Sequence, residues 1–172
     1  MRSGQGLEEW RMTAETMMKE YRSLKRELSV TGFQLQRFEG ISEKDMIESM
    51  LYSHHEGERV RTSTLSDKTA GIAVNYRKIM ERENDGWYQY LFNRYLYLSE
   101  EIDFFERSVS ALSGQLPGVV MDLVEGELTW ENIAAKYHVS TAMIAKYKKK
   151  AAAELEKMYG FRDKQVEAYV LG

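Results

Sequence analysis

The sequence predicts an all-α protein, and three observations carry that prediction. A single proline, Pro117, interrupts 172 residues, which favours long helices over a turn-rich sandwich or barrel. Two apolar stripes step alternately by three and four residues, the period of one helix face. Apolar residues make up 43% of the chain, enough for a genuine core and too many for wholesale disorder. The chain has no cysteine, which excludes a disulfide scaffold, thiolate zinc sites and cysteine nucleophiles. No apolar run approaches the ~18 residues of a membrane span, and the N-terminus lacks the apolar core of a signal peptide. A soluble intracellular protein is expected.

The first helix is read from Leu7, Trp10, Ala14, Met17, Tyr21, Leu24 and Leu28, with Gly32 as its stop. Ser42 with Asp45 forms a capping-box pattern ahead of Met46, Ile47, Met50 and Leu51, so a short second helix is expected there. Ser53 to Ser63, with His54, His55 and Gly57, reads as a loop. A third helix should start at Ser66-Asp67, place Ile72, Ala73, Tyr76, Ile79 and Met80 inward, and stop at Asn84-Asp85-Gly86. The fourth carries Tyr88, Leu91, Tyr95, Leu98, Ile102, Phe105, Val109 and Leu112 on one face. Two such stripes predict helices that pack on each other in a bundle or, as the alternative, on a second copy of the chain in a homodimer.

Leu116 to Tyr159 differs in kind. Trp130 to Tyr137 reads as one short helix, His138-Val139-Ser140 as a tight turn, and Thr141 onward as a second helix. This is the spacing of a helix-turn-helix, with a small residue (Ala134) where the helices cross. Ile133, Tyr137, Val139, Ile144 and Tyr147 fall where the wedge between the helices must be filled. Ser140 and Thr141 are good caps whose donors also suit phosphate oxygens. In the second helix Ile144, Tyr147, Ala151, Leu155 and Met158 should point inward, and Ala142, Ala145, Lys146, Lys149 and Ala153 outward. The turn position usually taken by glycine, where φ is positive, holds His138. Charge follows the same division. The chain is −3 overall, but Thr129 to Tyr159 holds six lysines against three glutamates, after an acidic stretch from Ser99 to Leu128. A helix that is small and basic outside can enter a major groove and bring ammonium groups to phosphates and base edges.

The run from Leu116-Pro117-Gly118 through Gly126-Glu127-Leu128-Thr129-Trp130 resembles the segment leading into the promoter-reading helix-turn-helix of sigma factors, region four. The likeness spans roughly Leu112 to Tyr159. The wider layout, including Ser66-Asp67-Lys68-Thr69, is similar to phage late-transcription regulators of the ArpU/RinA type. That resemblance implies a phage or prophage gene activator that binds double-stranded promoter DNA, contacts RNA polymerase, and works in the bacterial cytoplasm at the nucleoid. Carried over by position, Ser140, Thr141, Ala142, Ala145, Lys146 and Lys149 form the groove-facing set, and Lys136, Lys148 and Lys150 meet the backbone. The expected organisation is a helical region over 1–112 for assembly or docking, a DNA-binding unit over 113–160, and a tail over 161–172 that forms a short helix or a partner strap.

Two alternatives share these features: a small terminase-like DNA-packaging protein, and a sigma-mimicking module that binds polymerase without DNA. No enzyme activity, cofactor, metal or membrane partner is expected. Glu100, Glu101, Asp103 and Glu106 read as a solvated acidic face, with no cleft to separate their pKa values. His54 and His55 are adjacent and cannot share one metal. Tyr90 and Tyr97 fall off the stripe and are expected to be exposed aromatic contacts.

Overall fold

The structure, a computed structural model, describes residues 12–42 and 65–172, and for residues 65–79 the backbone alone. All its regular elements are α-helices: α1 (Ala14–Gln36), α2 (Leu65–Ser110), α3 (Leu116–Glu125), α4 (Trp130–Lys136) and α5 (Thr141–Leu171). Leu7, Trp10, the expected short helix and the His54-His55 loop lie outside the described residues, as do the side chains from Ile72 to Ile79. The chain divides into two compact units, one of Met1–Ser29 with Tyr97–Gly172, the other of Val30–Leu96.

In the first unit, α1 opens with Thr13, whose Oγ1 accepts the Thr16 N–H at 3.1 Å. Its stripe residues Ala14, Met17, Tyr21 and Leu24 are buried, in one core with Leu98, Ile102, Phe105 and Val109 of α2 and Ala151 and Leu155 of α5. Tyr97 packs partly buried against this core, which corrects the expectation of an exposed contact. It shares a helix face with Phe104, two turns on, whose ring meets that of Tyr159 in α5 at 4.9 Å between centres. Because both α1 and α5 pack on α2, the buried sector of α2 is wider than its stripe and takes in this second line.

The acidic face of α2 is also not uniformly solvated. Glu101 is buried, and the Arg162 guanidinium donates to both its oxygens at 3.0 and 3.1 Å. Arg162 lies 4.4 and 4.7 Å from the Phe104 and Tyr159 ring centres and donates to the Met12 carbonyl at 3.2 Å. Glu106 accepts from the Tyr21 hydroxyl at 2.6 Å and Lys25 Nζ at 2.9 Å. Only Glu100 and Asp103 of that set face solvent.

In the second unit, two expected helix stops are absent. Gly32 lies inside α1, and a Cβ there would stand 3.1 Å from the Tyr95 ring. The glycine serves close approach rather than termination, and its helix-interior penalty of about 0.5–1 kcal/mol is small enough for packing to override. Asn84-Asp85-Gly86 lies inside α2, so the expected third and fourth helices are one. The Asn84 side chain accepts the Ile41 N–H at 2.7 Å instead of turning its own backbone, and it crowds Gly40, whose φ is 81°. Tyr88, which the stripe places on the inner face, is exposed, 5.1 Å from the Phe38 ring in an edge-on contact. Tyr90 is exposed as expected, stacked on Trp87.

Candidate nucleic-acid interface

The α3–α4–α5 segment is built from local chemistry. Pro117 stands in the first turn of α3, where its missing N–H leaves no gap, and Gly126 ends that helix at φ 64°. Thr129 caps α4 by accepting the Asn132 N–H, and Ser140 caps α5 by accepting the Met143 N–H. Between them the chain turns at His138, which holds φ 54° and is the only non-glycine residue with positive φ among those described. The His138 and Val139 N–H groups donate back to the Ala135 and Ala134 carbonyls at 3.2 and 3.0 Å, so the turn leaves few backbone groups unmet.

That bend brings Ile133 and Ile144 into one fully buried cluster with Val119 and Ala134, closed by Leu123, Tyr137, Val139 and Tyr147. A second contact fixes α4 against α3. Asp122 accepts from Lys136 Nζ at 2.7 and 2.9 Å and from the Tyr137 hydroxyl at 2.8 Å. The Tyr137 hydroxyl reaches that carboxylate across Gly118, where a Cβ would collide with it. Burial, then the hydrogen bond to Asp122, pushes the Tyr137 hydroxyl pKa up; the same carboxylate raises that of Lys136. Sequence reasoning does not single out Asp122 or Gly118. A glycine inside a helix is the one local signal, while the 14- and 15-residue separations from Asp122 carry none.

The expected contact residues divide by direction. Ser140 is the cap, and Thr141 and Ala142 are exposed in the first turn of α5. Lys146, Lys149 and Lys150 are exposed and form no ion pair among the described residues. Ala145, Lys148 and Lys149, all exposed, also border a cavity of about 910 Å³ shared with Trp130 and the start of α1 at Glu15, Met18 and Lys19. The Lys148 ammonium lies 5.7 Å from the Trp130 ring centre, a cation–π contact between two residues that line that cavity. Lys136 is committed to Asp122, as above. Of the nine residues, Thr141, Ala142, Lys146 and Lys150 face outward, Ala145, Lys148 and Lys149 are exposed where they border the cavity, Ser140 caps α5, and Lys136 pairs with Asp122.

Among the described residues, no group of three or more His, Asp or Glu side chains could hold a metal ion, and no helix is long and apolar enough to cross a membrane. No family model, curated protein or solved structure matches this chain.

Proposed function

We propose that this protein is a DNA-binding transcription regulator of the phage late-gene activator type, which reads double-stranded promoter DNA with the start of α5. The observation that carries the reading is the bend at His138. It buries Ile133 against Ile144 and leaves Lys146 and Lys150 exposed without an ion pair among the described residues. Lysines on such a face displace condensed counterions when they meet phosphates, and alanines between them let the helix approach base edges. Lysine forms fewer bidentate guanine contacts than arginine, so each subunit gives substantial non-specific affinity and modest sequence preference. The rest of the chain then supplies assembly into a homodimer or a contact to RNA polymerase.

Selection of bound sequences from random DNA, together with titration over a range of salt, tests this. An enriched motif and an affinity that falls steeply with salt are expected; binding indifferent to ionic strength overturns the reading. Solution mass separates it from a packaging role: a monomer or dimer fits a regulator, and a large closed ring fits a packaging component.

A further inference from the structure

The DNA-contact residues expected from sequence end at Lys150, but α5 continues to Leu171. At about 100° per residue, one sector of this helix, about 80° wide, can be followed from Ala142 to Ala168. Its members are Lys146, Lys150, Lys157 and Lys164, separated by Ala142, Ala153, Gly160 and Ala168. No acidic residue falls in it. Glu154, Glu156, Asp163 and Glu167 all lie on its flanks, and the buried residues Ile144, Ala151 and Leu155 occupy the opposite side. All four lysines are exposed.

The spacing is as informative as the composition. Lys150, Lys157 and Lys164 follow one another at seven residues, about 10.5 Å along the axis, and the sector from Lys146 to Lys164 is about 27 Å long. Two ammonium groups that far apart, on flexible stems, reach phosphates on both walls of a major groove about 12 Å wide. The alanines and glycine between them put no bulk in the way. Lys157 has one partner, Glu154 at 3.1 Å, in an exposed pair three residues apart. Such pairs contribute little and yield readily to a competing phosphate.

Resting on the DNA-binding reading above, we propose that this lysine rail is a second duplex-contact surface. In it Lys157 and Lys164 hold backbone phosphates beyond the base pairs met by the first turns of α5. These contacts add affinity and carry no sequence information.

The test uses the full chain, the duplex selected above, and the double variant Lys157→Gln/Lys164→Gln, with Lys146→Gln in parallel. Circular dichroism serves as the control, with helical content expected to match the wild type because the substituted residues are exposed. Two lost phosphate contacts should reduce the slope of log affinity against log salt by about 1.8. Between about 50 and 200 mM salt the wild type would then lose about 12-fold more affinity than the double variant. The enriched sequence should be unchanged. If the double variant keeps the wild-type slope and affinity while Lys146→Gln loses both, the rail is wrong and the reading of the first turns stands. If the wild type itself binds no duplex, the reading and the rail fall together. If the double variant loses only binding to phosphatidylserine vesicles, the rail serves a lipid surface and the proposal is overturned.

Discussion

His138 occupies a conformation that costs a non-glycine residue roughly 1 kcal/mol, because a Cβ crowds the carbonyl when φ is positive. Its neighbours over-determine the bend by burying Ile133 and Ile144 on either side. His138→Gly is therefore expected to raise stability by about 0.5–1 kcal/mol, part of the relieved strain being offset by greater unfolded-state freedom. His138→Val should lower stability by more than that, since a β-branched residue tolerates this region least. Thermal unfolding of both variants checks the pair. Gly118→Ala should destabilise by about 1–3 kcal/mol, because the new methyl group displaces the Tyr137 hydroxyl from Asp122. The position of the turn is legible because capping, turn chemistry and the positive-φ requirement all act within a few residues. Gly32 and Asn84 mislead for the converse reason. The same residue types end helices locally, but here they face Tyr95 and the Ile41 N–H, partners whose arrival no local pattern announces.

Pairs of helices hold their register through a few polar contacts whose members are far apart in sequence. Glu106 joins α1 to α2 through Tyr21 and Lys25. Burial pushes the Glu106 carboxyl pKa up, but the hydrogen bonds from Lys25 and Tyr21 outweigh it, and the net shift is downward. A carboxyl held below its unfolded value stabilises the fold above that value, about 4.3, and this contribution is lost as pH falls through the folded value. Acid unfolding should therefore steepen below about pH 4, and Glu106→Gln should remove part of that dependence. Tyr21 gives the opposite window. Burial first, and Glu106 second, raise its hydroxyl pKa to about 12. Its contribution is complete below the unfolded value of about 10 and fades as pH rises toward about 12, a loss that Tyr21→Phe should abolish.

Arg162 is the element-scale counterpart in α5. Replacing it with alanine strips a buried carboxylate of two charge-assisted hydrogen bonds, and a loss of about 3 kcal/mol is expected in denaturant unfolding. The amphipathic faces of these helices are readable from spacing alone. The ties between them are not, because Glu101 and Arg162 stand 61 residues apart and both resemble ordinary surface charges until packing closes over them.

Across the whole molecule the formal charge is −3, so the proposed attraction to DNA would not come from the chain as a whole and would have to be local. Affinity should then respond to single lysines on the outer face of α5 far more than to charge elsewhere. Lys146→Ala is expected to flatten the salt dependence by about 0.9 in the logarithmic slope. Arg82→Ala, at an exposed residue paired among the described residues only with its neighbour Glu83, changes total charge equally and should leave that slope nearly unchanged. Parallel titrations of the two variants separate the local account from a global one.

The helix that begins at Thr141 and ends at Leu171 has no proline within it, and Arg162 fastens it near its far end. Such a rod is gripped along its length: Ile144 in one buried cluster, Ala151 and Leu155 in the other, and the guanidinium beyond them. Loosening Arg162 would therefore fray the turns beyond Tyr159 and leave Lys146, about 24 Å away along the axis, where Ile144 holds it.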